Sequence, residues 1–379
     1  MKIGIVCYPT YGGSGVVATE LGKGLAQKGY EIHFISYSQP FRLDNVFNEN
    51  LFYHDVSISD YPLFEHSPYT LILASKLVDV VLHHQLDLLH VHYAIPHATA
   101  AHLAQQILLT KGIFIPFITT LHGTDITLVG KEEIFEPIVS FAINNSNGVT
   151  AVSEALKQET YRYFNVSKDI AVIPNFIDLS RFSHKPKSHF KKAIAPENER
   201  IVIHISNFRP LKRVDNVIKV FAQIIEKIPA KLLMVGDGPE RNNAEKLARD
   251  LCLTDHIRFL GKQDAVEEIL SVSDLFLMPS ETESFGLAAL EAMACQVPVV
   301  SSNAGGLPEV NLNGITGFTV EVENTTEMAQ KSIYILEDEN RLATFKANAL
   351  TQAQRFDIQT ILPQYEQFYK QILENGKSI

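Results

Sequence analysis

Tryptophan is absent from the 379 residues, and cysteine appears only at Cys7, Cys252 and Cys295. Three thiols, odd in number and far apart in apolar surroundings, exclude a disulfide framework and a CxxC metal site; they suit a reducing, cytoplasmic compartment. No apolar run reaches the roughly 20 residues a membrane helix needs, and the opening MKIGIVCYP is too short for a signal-peptide core. Positive charge is scarce as well. Against 43 Asp and Glu stand 33 Lys and Arg, a net charge of −10 that argues against a nucleic-acid partner, because such binding neutralises phosphates with clustered cations. The one basic cluster, Lys185 to Lys192 (KPKSHFKK), reads as a solvated loop, and no basic amphipathic stretch suggests a membrane surface.

What is present is an alternation of short apolar runs with helical patterns, the mark of parallel α/β layers. In the first half the strands fall at Lys2 to Cys7, Glu31 to Ser36, Leu88 to Val91, Phe117 to Leu121 and Gly148 to Ala151. In the second they fall at Ile201 to Ile205, Lys231 to Val235, Ile257 to Leu260, Leu275 to Met278 and Val297 to Ser301. The length accommodates two domains. The expected organisation is an N-terminal parallel α/β domain over 1–172, a second over 173–355, and a closing amphipathic helix within 356–379 that carries Ile361, Leu362, Tyr365, Phe368, Tyr369 and Ile372 at helical spacing. Sheets of this kind bind ligands beyond the C-terminal ends of their strands, so two of them predict a cleft between the domains.

Every polar motif falls at such an end. DLFLMPSETESFGLAALEAMAC runs from an apolar strand through a turn carrying Glu283 to a helix that Ser284, Phe285 and Gly286 open and whose second turn carries Glu291. The N–H groups of a helix start attract anions, so two carboxylates beside one point to a ligand that is part phosphate and part polyol. On that assignment the amides of Ser284 to Leu287 hold a diphosphate, while Glu283 and Glu291 accept from sugar hydroxyls. The plainer alternative leaves Glu283 favouring the helix start and Glu291 on a solvated face.

At the other end of the chain, YPTYGGSGVVATE places Gly13 and Gly15 between a strand and a helix. With Ala18 they satisfy G-x-G-x-x-A, but the second strand ends in Ser36, Tyr37 and Ser38 with no carboxylate for a ribose. That tells against a nicotinamide oxidoreductase and favours a backbone wall for the cleft. HVHYAIPHATAA and TTLHGTD concentrate polar groups, and His122 follows its strand directly. His90 and His92, two apart on a strand without a partner carboxylate, do not make a metal site. HISNFRPLKR sets Arg209, Lys212 and Arg213 where cations can reach a diphosphate.

Together YGGSG, TLHGTD, VIPNFID, RPLK, VGDGP and ESFGLAALE resemble the retaining GT-B glycosyltransferases of family four across almost the whole chain. The resemblance implies two Rossmann-like domains and a last helix that crosses back to the first. It implies a UDP-sugar held by Gly13, Gly15, Asn207, Arg209, Lys212, Lys262, Glu283, Ser284, Phe285, Gly286, Leu287 and Glu291. Glu291 would bind the ribose, Lys212 the diphosphate, and Glu283 with His122 the transferred sugar; His122, Lys212 and Glu283 are the catalytic candidates. That family usually carries Arg five positions before the lysine, where this chain has Asn207, so the charge passes to Arg209 or Arg213. No two aspartates stand two apart, so the metal-binding D-x-D of other glycosyltransferases is missing and no metal or cofactor is expected. YPLFEHSPYTLILASK (Tyr61 to Lys76) with HVHYAIPHA is similar to the branch that joins N-acetylglucosamine from UDP-GlcNAc to L-malate. Ser14, Tyr93 and Thr120 are the candidate acceptor contacts, because hydroxyls and loop amides bind carboxylates. A non-catalytic UDP-sugar sensor and a homo-oligomer both remain open.

Overall fold

The computed structural model describes residues 1–10, 12–43, 47–57, 68–128, 132–185 and 187–376. Tyr11 of the glycine loop and residues 61–67 of the second motif lie outside them. The chain forms two compact units: Met1–Asn175 together with the segment from Ile358 onward, and Phe176–Asp357.

The first unit is built on β1 (Lys2–Val6), β2 (Glu31–Ser36), β3 (Leu51–Asp55), β4 (Leu88–His92), β5 (Phe117–Leu121), β6 (Gly148–Ala151) and β7 (Ile170–Val172). They pair in parallel in the order β3-β2-β1-β4-β5-β6-β7. Strands covered on both faces read as unbroken apolar runs, which is why KIGIV and its neighbours are visible in sequence. The edge strand β3 is not: LFYHD is half exposed and mixes polar with apolar residues.

The second unit carries β8 (Arg200–Ile205), β9 (Ala230–Val235), β10 (Ile257–Gly261), β11 (Leu275–Met278), β12 (Val299–Ser302) and β13 (Gly317–Val320), parallel in the order β10-β9-β8-β11-β12-β13. Against it the helix Val214–Ile225 turns Val214, Val217, Ile218, Phe221 and Ile224 inward at helical spacing. In each sheet the strand order reverses beside its first strand. β1 lies between β2 and β4, and β8 between β9 and β11. Loops diverge at such a switch point and open a crevice at the strands' C-terminal ends.

Two local expectations are corrected. The lysine cluster is not a loop throughout: Ser188–Ile194 is a helix. From it Lys191 reaches the buried Asp274 at 3.1 Å, with Lys346 at 3.0 Å on the same carboxylate. The helix expected to open at Ser284 begins at Leu287, because Gly286 adopts φ 100° and Phe285 turns into the core against Phe356.

The last helix, Ile358–Gly376, belongs to the first unit. Ile358 and Leu362 rest against Gly24, where an added Cβ would meet them at 3.1 and 3.3 Å. Ile372 and Phe368 rest against Gly148. Tyr365 and Tyr369 are fully buried, and the Tyr369 hydroxyl lies 2.8 Å from His90 Nδ1. Removing that hydroxyl leaves a buried ring nitrogen without its partner, at a cost of about 1–3 kcal/mol. Tyr369→Phe is therefore expected to lower the urea midpoint with an unchanged m-value; an unchanged midpoint would show that the bond contributes nothing net.

Candidate active site

At the C-terminal edge of the second sheet, five strand exits meet. The turn after β9 lies against the turn after β8: a Cβ on Gly236 would stand 1.8 Å from the Ser206 carbonyl oxygen, and one on Gly238 2.0 Å from that of Asn207. At the last residue of β10, the Gly261 carbonyl accepts from the Gly236 amide at 2.8 Å. The turn after β11 is tied to the basic turn by the Glu281 amide on the Leu211 carbonyl at 2.8 Å. The turn after β12 wraps the Glu283 backbone, with the Gly306 amide on the Glu283 carbonyl at 2.9 Å. Gly305, at φ 53°, approaches so closely that a Cβ there would lie 2.0 Å from the same oxygen.

Within this frame the Lys212 ammonium donates to the Glu283 carboxylate at 2.5 Å, both side chains being largely buried. Lys has three donors, so one can hold Glu283 while the others face an incoming phosphate oxygen. Arg209 and Asn207 are exposed on the same turn, and Lys262 is exposed just past β10. Arg213 is otherwise engaged: it pairs with Glu323 and lies 3.9 Å from Glu281, whereas Arg209 is exposed. Glu291 sits in the second turn of the helix Leu287–Ala294, half-buried. The amides of Leu287, Ala288 and Ala289 form that helix's first turn, which has no intrahelical acceptors. Phe285, packed in the core, can offer a ligand its backbone alone.

The first unit gathers its polar groups beside its own switch point. Tyr93, just past β4, donates its hydroxyl to Ser14 Oγ at 2.5 Å, and its ring centroid lies 5.3 Å from that of His122. His122 Nε2 is 2.8 Å from His92 Nδ1. Burial, with the His97 charge adding, pushes His122 down to about 3, so the ring is neutral at pH 7. Asp125 holds both loops, accepting from the Ala94 amide at 2.8 Å and the Gly123 amide at 3.1 Å. Burial raises its pKa to about 6 against the pull of those amides, which leaves it mainly ionised at neutral pH.

Two candidates prove to be interior. Thr120 is fully buried, and its hydroxyl lies 2.7 Å from both His90 Nε2 and Thr150 Oγ1, so it ties strands together and is not open to an acceptor. Gly15 is buried in the first turn of the helix Gly13–Gln27, where a Cβ would strike the Thr10 and Tyr8 carbonyls at 2.6 and 2.7 Å. Its smallness serves that packing, while Gly13 is exposed. Sequence reasoning missed three supports. His204 bridges the Leu277 carbonyl and Ser206 Oγ, each at 2.8 Å, and fixes the basic turn to β11. Gly305 with Gly306, and Asp125, are the others; N-A-G-G directly after a strand was the available signal.

Residues 185–352 match the family model of glycosyl transferases group 1, and residues 11–181 that of glycosyltransferase family 4. The chain is 46% identical to the N-acetyl-alpha-D-glucosaminyl L-malate synthase of Bacillus anthracis, over 100% of this chain and 99% of that one. Among solved structures, HepE of Anabaena in complex with UDP and glucose aligns at TM-score 0.83 and 21% identity, over 98% of this chain and 100% of that one. Sucrose-phosphate synthase from Thermosynechococcus elongatus aligns at 0.80 and 21%, over 99% and 100%. At that identity the likeness shows the fold alone, GT-B, built from two parallel-sheet α/β domains. With a full-length relative at 46% identity and both halves matched by their models, the chain belongs to the glycosyltransferases of family four.

Proposed function

We propose that the chain transfers N-acetylglucosamine from UDP-GlcNAc to the hydroxyl of L-malate with retention at the anomeric carbon, the first step of bacillithiol biosynthesis. The observation that carries this is the end-to-end similarity to the Bacillus anthracis synthase. The second unit holds the donor: Glu291 accepts from the ribose hydroxyls, Lys212 and Arg209 face the diphosphate, and Glu283 orients both Lys212 and the sugar. In the first unit Ser14 and Tyr93 receive the malate, and the neutral His122 exchanges a hydrogen bond with the transferred sugar. The malate hydroxyl oxygen bonds to C1 as the bond from C1 to the β-phosphate oxygen breaks, and the hydroxyl proton passes to an oxygen of the departing UDP. Glu283 is ill suited to act as a covalent nucleophile, because its charge is spent on an ammonium 2.5 Å away.

Proton NMR of the first-formed product tests the stereochemistry: the α-glycoside is expected, and a β-glycoside would overturn retention. Calorimetry tests the ribose contact. A charge-assisted hydrogen bond contributes about 1.5–3 kcal/mol, so Glu291→Ala should weaken UDP itself by roughly 10- to 100-fold. Unchanged UDP affinity would remove Glu291 from the ribose site.

A further inference from the structure

Three histidines outside the site converge on one face of the first sheet. His33 lies on β2, His54 on β3, and His84 ends the helix Tyr69–His84. β2 and β3 pair in parallel with His33 opposite Phe52, so the two-residue period of a strand puts His33, Phe52 and His54 on the same side. His33 is fully buried and the other two are half-buried. One ring nitrogen from each lies within 4.8 Å of the others, the sole group of three such ligands among the described residues. His33 Nδ1 and His54 Nε2 are 2.8 Å apart, and the His84 ring centroid lies 4.6 and 4.9 Å from those of His33 and His54.

The far side of His33 is held as well. Its Nε2 is 2.9 Å from Glu31 Oε1, and the same carboxylate pairs with Lys2 at 3.1 Å. An ionised carboxylate only accepts, so His33 carries its proton on Nε2 and turns the Nδ1 lone pair toward the other rings. A carboxylate behind a histidine in this manner fixes the tautomer and the ring orientation of a metal ligand. Metal–nitrogen bonds of about 2.0–2.1 Å in a tetrahedral site set nitrogens roughly 3.3–3.4 Å apart, within the range the three already span. Imidazoles without thiolate or clustered oxygen suit zinc, nickel or copper and not magnesium or calcium.

We propose that His33, His54 and His84 bind one divalent transition-metal ion, zinc being the best match, which pins the edge strand β3 and the end of the helix Tyr69–His84 to β2. The spacings of 21 and 30 residues form no motif, so the sequence arguments against a metal, which concerned His90, His92 and D-x-D, do not bear on it. None of the three residues belongs to the candidate active site, so the ion is structural.

The test is titration of the untagged, chelator-treated full chain with zinc chloride by calorimetry, with visible absorption of the cobalt(II) form as a second readout. One ion per chain is expected, at a Kd of about 1 μM or tighter, with the intense absorption of a tetrahedral nitrogen site. His54→Ala with His84→Ala should weaken binding at least about 100-fold. Should that double variant fail to fold, His84→Gln alone must still weaken binding at least about tenfold. UDP release should be unaffected by either change. Absence of saturable binding, or equal affinity in the variants, would overturn the site.

Discussion

Lys212→Ala is expected to reduce kcat by roughly 100- to 1,000-fold, the cost of about 2.7–4 kcal/mol that follows loss of one donor aimed at developing charge. The lysine stands 2.5 Å from Glu283, so the variant loses more than a cation. It leaves a largely buried carboxylate unpaired, and on the proposed donor site that carboxylate would face the negative charge of the diphosphate. That predicts strong non-additivity: once Lys212 is gone, Glu283→Gln should cost much less than it does in the parent chain. Steady-state kinetics on the four proteins of the cycle measure both effects. A loss below about threefold for Lys212→Ala would remove the lysine from the chemistry.

Gly305→Ala should be nearly as damaging, although the residue offers no side chain to any ligand. Its φ of 53° is disfavoured for an L side chain, and the new Cβ would fall 2.0 Å from the Glu283 carbonyl oxygen. Backbone cannot yield as a side-chain tip can, so Glu283 must move and with it the Lys212 it holds, and a misplacement of about 1 Å in a site can cost about 100-fold. The control is Gly314→Ala, which shares a positive φ of 74° but meets nothing within 4 Å. It should lose roughly 1–2 kcal/mol of stability to the left-handed backbone and keep its activity. Equal kinetics for the two variants would show that the contact with Glu283 does not matter.

The sequence makes the buried strands plain, because a strand covered on both faces is an apolar run whatever its neighbours are. The same burial misleads about individual residues within one. Thr120 looks like a site residue from its place near a strand end, yet in a central strand each side chain points into one packed layer or the other. His122 lies past the last strand residue, half-buried against the Tyr93 ring. The Glu283 and Glu291 spacing is legible, whereas the true start of their helix depends on Phe285 finding Phe356, some 70 residues on. The packing of Gly305 against the Glu283 backbone is likewise a tertiary fact: the two residues lie in turns after different strands, which the pairing of β11 with β12 sets side by side. The lysine cluster read as loop because its partner, Asp274, opens a distant strand.

The most direct measurement is UDP release from UDP-GlcNAc with L-malate as acceptor, set against succinate, which has the same two carboxylates and no hydroxyl. UDP formation that requires malate and is absent with succinate is the expected result, together with no change in NAD(P)H absorbance. UDP-sugar binding without release would make the chain a sensor, and release with another hydroxy acid or polyol but not malate would move it to a different acceptor. Either outcome would contradict transfer to malate.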